Sequence, residues 1–505
     1  MTRLRAVAAA CALAGPTVLA FFAGGYYSEP RLITALVAWS CVLLLTLTGC
    51  VPLPRTRAGW AVLGGLVLMT GWSAISLAWA PLKGPAIENV QRLTLYVGAL
   101  VLAIGVLRLP RALRALEPAL AAGATVVIGY GLAGRLLPGL VRQAHSRSAA
   151  GRLEQPLTYW NAEGALAAIG LLLCARIAGD TTRPALARAL AAAAVAPLAA
   201  GVYLSFSRGA LVVALLGLSV LVAAAPTREQ LRAAVAALLT GVLAAAACGS
   251  FPGVASLEGS AAVRNREGAI ALALLLVVMA AAGTVTALRA RASPGRSPDT
   301  ALDRSGRLGT VVGAAVAVVA AGLVVGGLAE RPSKADLALT AQPGRLARVS
   351  SNRYEYWRVG LKTFAQQPLK GAGSAGFRVA WLRERAISET VRDVHSLEVE
   401  MAAELGVVGL LALALMTGGA AAAGRRALRH SPAAAAGAVA ATLAWFLHAS
   451  IDWDWELPAA SLPAVVLTGA LIVLAESPPA RRRDPGGDEP PQPAPPRGDR
   501  DRAPS

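Results

Sequence analysis

Residues 268–288 read GAIALALLLVVMAAAGTVTAL, a run without a single charged side chain. An α-helix rises 1.5 Å per residue, so this run is long enough to cross a bilayer core of ~30 Å. Arg264 and Arg266 precede it, and five arginines follow it between positions 289 and 307. An apolar run of this length between basic flanks is typical of a transmembrane helix.

Comparable runs recur over the whole chain of 505 residues, of which 55% are hydrophobic and only 15% charged. A soluble domain carries about a quarter charged residues. The sequence therefore predicts an all-α polytopic membrane protein with about 12–14 transmembrane helices and a mainly helical extracytoplasmic loop domain. The candidate spans are residues 6–24, 32–50, 59–79, 93–107, 116–134, 162–178, 189–205, 209–225, 232–249, 268–288, 309–328, 397–423, 432–450 and 459–475.

Basic residues accumulate in every second connection between these spans. The clusters lie at positions 3–5, 55–57, 108–114, 176–188, 228–232, 289–307, 425–429 and 481–483. Because basic connections stay on the cytoplasmic side, this alternation predicts a multi-pass protein of the cytoplasmic membrane with both termini in the cytoplasm. The net charge of +19 is then mostly a topology signal. It favours contact with anionic membrane lipids and does not indicate nucleic-acid binding.

The predicted spans divide the chain into four parts. Residues 1–328 hold transmembrane helices 1–11, residues 329–395 form a large extracytoplasmic loop, and residues 396–476 hold helices 12–14. Residues 477–505 are rich in proline and predict a disordered cytoplasmic tail. Within the large loop, residues 352–367 have the pattern of an amphipathic helix. All five cysteines fall in apolar runs, so neither a disulfide framework nor a metal site is indicated.

Three polar features fall on the predicted outer side. The first is the tight turn Ser207-Arg208-Gly209 between two spans. Its arginine is either a side chain that reaches the membrane interface or part of an anion site, because a guanidinium fork matches phosphate oxygens. The second is Arg353 with Trp357, followed by a glycine-rich turn at 368–373. It is either a basic surface helix anchored by its tryptophan or a phosphate site, for which a lone glycine-rich turn is weak evidence.

The third feature is His395, which lies at the start of the span after the large loop. It is either a structural histidine or an ionisable group of a site. Glu404 is nine residues further on and lies ~180° away around a helix, so we expect it to pair elsewhere in the bundle. Asp393 is the nearer candidate for holding the imidazole.

His448 and the segment 452–456 (DWDWE) end the thirteenth predicted span. One interpretation is an aromatic belt with solvated carboxylates. The other is an acidic rim, including Asp452, that orients an acceptor sugar or pairs with the arginines.

Six short motifs follow one another over residues 155–460. They are Tyr159-Trp160-Asn161, Ser207-Arg208-Gly209, Arg353 with Trp357, Pro368-Gly371-Gly373 with Phe377, His395, and Glu404-Leu405-Gly406-Val407-Val408-Gly409. Taken in order, these motifs resemble the O-antigen ligase/polymerase superfamily, in which the first has the form Tyr-x-Asn. Two residues differ from the family pattern, since Ser396 and Glu398 stand where the family has an asparagine and an aromatic residue.

The resemblance implies a membrane-embedded glycosyltransferase, a ligase or polymerase, that uses neither metal nor cofactor. It would transfer a glycan from an undecaprenyl diphosphate carrier to a hydroxyl of a glycan, lipid or protein acceptor on the outer face of the membrane. His395 would be the catalytic base, while Arg208 and Arg353, with Arg264 and Arg266 as further candidates, would bind the diphosphate. The supporting residues would be Ser207, Asn161, Asp393, Glu404 and Asp452.

Two functions from other classes compete with this one. A flippase for lipid-linked oligosaccharides also has many spans, but transporters place polar or helix-breaking residues near mid-membrane in two related halves. Here the ionisable residues cluster at one face. A structural membrane scaffold does not account for the pattern of arginines and histidine.

Overall fold

The computed structural model describes residues 2–292 and 352–476. Each predicted span except 309–328 coincides with an α-helix. That span, part of the large loop and the tail 477–505 lie outside the described residues.

The described residues form sixteen α-helices. Twelve of them are long and apolar enough to cross a membrane, and α8, with 17 residues, is slightly shorter. The predicted all-α polytopic membrane fold is thus confirmed. The helices are α1 Thr2–Ala20, α2 Ser28–Leu47, α3 Arg57–Ser76, α4 Lys83–Leu107, α5 Pro110–Leu136, α6 Trp160–Gly179, α7 Ala185–Leu204, α8 Arg208–Ala224, α9 Arg228–Gly249, α10 Pro252–Ala255, α11 Ala261–Arg291, α12 Arg353–Gln366, α13 Phe377–Glu384, α14 Leu397–His430, α15 Pro432–Ala449 and α16 Pro458–Glu476.

The centre of the bundle is formed by α4, α6 and α16, and α6 is buried along its whole length. At the periphery, only 17% of the most apolar window of α11 is buried, which is the pattern of a helix that faces lipid. Because lipid gives no hydrophobic driving force for helix association, helices in a membrane associate through close packing, which small residues allow. At Gly65 of α3, a Cβ atom would lie 2.5 Å from the backbone nitrogen of Met416 in α14.

The connections between spans gather at two ends of the bundle. At one, which we call the His395 end, Tyr26 packs edge-on against Trp453 with 5.8 Å between ring centroids. At the other, the Arg425 end, Arg108 and Glu476 form an ion pair of 2.9 Å. The two sets of connections are those that the arginine pattern assigns to opposite sides of the membrane. Which end faces the outside stays a prediction.

One boundary differs clearly from the prediction, since α4 begins at Lys83 and not near residue 93. The extra turns carry Asn89 and Arg92, which we assigned to a connection because they are polar. Both are buried, and Arg92 forms ion pairs with Glu456 and, at 4.0 Å, with Glu400. A polar residue can thus extend a span when the bundle itself supplies its partners.

At the His395 end, α12 and α13 form a small helical layer with its own apolar core. Tyr356, Val359, Phe377, Trp381 and Val394 are all buried in it. The amphipathic helix predicted at 352–367 is confirmed as α12. Its buried face runs through Tyr356, Val359, Gly360 and Thr363, whereas Leu361 is exposed.

Candidate functional site

Arg353 at the start of α12 forms an ion pair with Asp452, in the connection between α15 and α16. The carboxylate is buried, whereas the guanidinium keeps partial exposure at the surface. Burial acts to raise the pKa of Asp452, but nearby positive charge, chiefly that of Arg353, outweighs it and holds this pKa below its usual range. Asp452 is therefore ionised at neutral pH and fixes the arginine.

Tyr159 and Asn161 join the same cluster from the start of α6. The Tyr159 hydroxyl donates to Asp452 Oδ1 at 2.6 Å, and Asn161 Nδ2 donates to the tyrosine oxygen at 2.7 Å. Burial, followed by the neighbouring Asp452 charge, raises the pKa of Tyr159 well above 10, so the phenol keeps its proton. The ring of Trp453 packs on that of Tyr159 with a centroid distance of 4.3 Å.

His395 lies just before α14, with the left-handed φ of +60°. Its Nδ1 lies 2.9 Å from the carbonyl oxygen of Asp393. A carbonyl can only accept, so Nδ1 carries the proton and Nε2 of the neutral ring has a free lone pair. This is the tautomer that a general base requires.

Packing holds the His395 ring beside the ion pair. The ring of Tyr356 lies 5.0 Å from it and that of Trp453 6.2 Å, measured between centroids. Burial lowers the pKa of His395; Asp452 opposes this effect and Arg353 adds to it. The imidazole is therefore neutral at pH 7.

Trp357 links α12 to the residues just before α14. Its Nε1 donates to the backbone oxygen of His395 at 3.2 Å, so it holds the segment that leads into α14. The Arg-x-x-x-Trp spacing therefore has a physical reason: one turn of α12 places Arg353 on Asp452 and Trp357 on His395.

Asp393 meets His395 through its backbone oxygen, and its carboxylate instead faces Arg378 at 3.8 Å. Asp393 thus contacts the imidazole through its backbone oxygen and not through its carboxylate. Glu404 pairs away from His395, but the expected helix angle is not the reason, because His395 precedes α14 and has a φ of +60°. The Glu404 carboxylate accepts from the backbone nitrogens of Ala375 at 2.6 Å and Phe377 at 3.3 Å.

The glycine-rich turn at 368–373 packs against a break in α14. At the break Gly406 adopts φ +66°, which leaves helix carbonyls without their usual donors. The turn replaces the missing partners on both sides of the break. Gly373 N donates to Glu404 O at 2.9 Å, and the Pro368 carbonyl accepts from Val407 N. A Cβ on Gly371 would lie 2.3 Å from the backbone carbon of Glu404, so only glycine fits there. The turn's backbone thus fills a structural role at α14.

Ser207 caps α8, whose first residue is Arg208, and it lies at the same end of the bundle. Its hydroxyl accepts from Ala210 N at 3.2 Å and lies 3.4 Å from Nε2 of His448. His448 in turn contacts Asp454, two residues from Asp452. The Ser-Arg-Gly turn is therefore linked by contacts to the segment that holds Arg353.

Arg264 and Arg266 lie in the first two turns of α11. Arg264 packs against α10, with its Cγ 3.2 Å from the position a Cβ would take on Gly253. Arg266 is exposed. In the part of the chain that the structure describes, no group of three or more His, Cys, Asp or Glu residues could hold a metal ion.

The acidic segment 452–456 contradicts the interpretation as solvated carboxylates. Asp452, Asp454 and Glu456 are all buried, and they pair with Arg353, His448 and Arg92 respectively. The alternative, in which the acidic residues pair with arginines, agrees with the structure. His448, Asp454 and Arg92 were missed as site residues. The sequence signal for them was the acidic residue at every second position of segment 452–456, just after a span.

The fold and the site together define a multi-pass, all-α membrane protein with a partly buried ionic cluster at one end of its bundle. Residues 262–414 match the family model described as O-antigen ligase. The match covers 153 of the 505 residues and agrees with the resemblance to the O-antigen ligase/polymerase superfamily, a class of membrane glycosyltransferase-type enzymes. No curated protein matches the chain. Arg353 and His395 lie within the matched residues, whereas Asp452 and the turn that carries Arg208 lie outside them.

Proposed function

We propose that this protein transfers a glycan from an undecaprenyl diphosphate carrier to an acceptor hydroxyl on the outer face of the cytoplasmic membrane. The observation that carries the proposal is the placement of His395. Its Nδ1 lies 2.9 Å from Asp393 O, which leaves Nε2 to accept a proton, beside an arginine that a buried aspartate fixes. A base next to a fixed cation is what this reaction needs.

The chemistry assigns one role to each group. His395 Nε2 takes the proton of the acceptor hydroxyl while the acceptor oxygen attacks the anomeric carbon. The bond between that carbon and the diphosphate oxygen breaks, and the electron pair leaves with the diphosphate. Arg353 and Arg208 stabilise the negative charge that develops there, since a guanidinium binds phosphate oxygens through paired N–H groups. A single displacement of this kind inverts the anomeric centre.

Other residues of the cluster have supporting roles in the proposal. Asp452 and Tyr159 hold Arg353, Asn161 holds Tyr159, and Ser207 caps the helix that begins with Arg208. We assign the diphosphate to Arg353 and to Arg208, whose turn contacts His448 beside the same cluster. Arg264 packs against Gly253 of α10 and Arg266 is exposed on α11, so neither is assigned to it.

The test is transfer by the purified protein from a defined lipid-linked glycan to three classes of acceptor: a lipid or cell-wall glycan, the growing glycan itself, and a secreted protein. We expect release of undecaprenyl diphosphate and an inverted linkage with one class. Deletion of the gene should cause the lipid-linked donor to accumulate. Movement of the intact lipid-linked glycan across vesicles without cleavage would instead support a flippase.

A further inference from the structure

Ser207, His448 and Asp454 form a buried row at the His395 end, which we call the Ser207–His448–Asp454 row. The Ser207 hydroxyl lies 3.4 Å from His448 Nε2, and His448 Nδ1 is bonded to Asp454 Oδ2. The histidine and the aspartate are fully buried, and Ser207 is 4% exposed. The three residues come from the turn before α8, the end of α15 and the connection to α16, so only the fold brings them together.

Two hydrogen-bond directions in the row are fixed by the groups themselves. The carboxylate of Asp454 accepts, so His448 Nδ1 carries a proton. The Ser207 oxygen accepts from Ala210 N at 3.2 Å, and a hydroxyl can exchange a hydrogen bond with Nε2 in either direction. Asp454 Oδ1 is buried without a hydrogen-bond partner among the described residues, so the histidine is the main polar partner of this carboxylate side chain.

The histidine also accounts for the glycine of the Ser-Arg-Gly turn. A Cβ on Gly209 would lie 3.0 Å from both Cδ2 and Nε2 of His448. The imidazole therefore contacts the turn on both sides of Arg208: through a hydrogen bond to the residue before it and through close packing on the residue after it.

We propose that His448, held by Asp454, is a positioning residue that fixes the Ser207–Gly209 turn and so sets where Arg208 meets a diphosphate. This inference rests on the proposed role of Arg208 in donor binding. The order serine, histidine, carboxylate is also that of a nucleophilic triad. Here the serine oxygen caps a helix and the imidazole has no exposed surface, so the row orients a side chain and does not attack a substrate.

Two amide substitutions separate the two ends of the row. His448→Asn keeps a nitrogen near the Nδ1 position for Asp454 and loses Ser207, whereas His448→Gln keeps a polar atom near the Nε2 position for Ser207. With undecaprenyl diphosphate in detergent as the probe, we expect His448→Asn to raise its Kd about tenfold, the worth of one or two hydrogen bonds. His448→Gln and Ser207→Thr should raise it less. Equal effects of the Asn and Gln variants would overturn the proposal.

The decisive measurement is a double-variant cycle with Arg208→Lys. If His448 acts through Arg208, His448→Asn should change the Kd less than twofold in the Arg208→Lys background, because the oriented fork is already lost. A purely structural role would weaken binding by the same factor in both backgrounds. Thr227→Ala is the matched control: Thr227 caps α9 through Gln230 N at 3.1 Å, at the opposite end of the bundle, and its loss should leave the Kd unchanged.

The probe binds without any transfer reaction, so the two proposals fail separately. Binding that depends on Arg208 but not on His448 would remove the positioning role and leave the proposed function intact. If Arg208→Lys alone leaves the Kd of undecaprenyl diphosphate unchanged, the donor site assigned to this arginine is overturned, whatever the His448 variants do.

Discussion

Arg353 and Asp452 lie 99 positions apart in the sequence and form an ion pair that ties α12 to the connection between α15 and α16. Tyr159, from the start of α6, binds the same carboxylate. Three separate parts of the chain thus meet at Asp452. The pair fixes an arginine beside His395, in a position that neither helix could define alone.

We expect Asp452→Asn to lower both stability and activity. It leaves the partly buried Arg353 without its counter-charge, which costs ~3 kcal/mol, the lower end of the range for a buried pair with one partner removed. Thermal unfolding of the purified variant and its rate of glycan transfer measure the two effects. Arg353→Gln and the double variant complete a cycle, and additive losses would show that the pair is not coupled.

Arg208→Lys should lose most of the transfer activity. A lysine keeps the charge but cannot make the paired contact of a guanidinium with phosphate oxygens. Turnover of a lipid-linked donor by the purified variant is the measurement. Arg266→Lys, at an exposed site on α11, is the control and should be close to the wild type. A near-normal rate for Arg208→Lys would reduce this arginine to an interface anchor.

His395→Ala should insert normally in the membrane and still bind the donor, but its rate should fall ~10²–10⁴-fold, the usual contribution of a general base. His395→Gln should be about as slow, because it keeps a polar side chain without a titratable nitrogen. Wild-type turnover of His395→Gln would limit the residue to positioning the acceptor. The base would then be sought among Asp393, Glu398 and Asp452.

The pH profile gives an independent check on the same residue. Burial lowers the pKa of His395 below its ordinary value of about 6.5, so the neutral, basic form predominates at pH 7. We therefore expect kcat/KM to stay level above neutrality and to fall only as the pH drops below about 6.5, when the ring takes up a proton. An acid limb that persists unchanged in His395→Gln would assign it to another group.

Gly371→Ala should destabilise the protein more than it changes its chemistry. The added Cβ would lie 2.3 Å from the backbone of Glu404, and the residue has a φ of +70°. Displacement of the turn removes the donors and acceptors that it supplies at the break of α14. We expect a lower unfolding temperature than for Gly64→Ala in α3, where a Cβ would meet nothing within 4 Å. Equal unfolding temperatures would contradict the packing of the turn on α14.

The large loop and the tail should lie on opposite sides of the membrane. Cysteines in a cysteine-free background, at position 369 in the loop and 505 in the tail, test this with an impermeant reagent on intact cells. Position 369 is accessible to a reagent, since Leu369 is 73% exposed. We expect labelling at 369 only. Labelling of both positions from outside would overturn the predicted topology.

The sequence by itself determined the spans and their order. Helices in a bilayer must satisfy their backbone hydrogen bonds internally, so apolar runs of sufficient length identify them without knowledge of their neighbours. The motifs around Arg208, Arg353 and His395 are short and local, and for that reason their resemblance to one family was also visible from the sequence.

Only the tertiary structure decided which polar groups meet. Arg92 and the carboxylates of residues 452–456 look like connection residues in sequence, because a charge in a span is costly unless a partner from another helix offsets it. The partner can be near or far in the sequence: Asp454 lies 6 positions from His448, whereas Glu456 lies 364 positions from Arg92. The free-energy cost of burying such a charge depends on the partner that offsets it. It therefore becomes predictable only when the packing of the bundle shows which two residues meet.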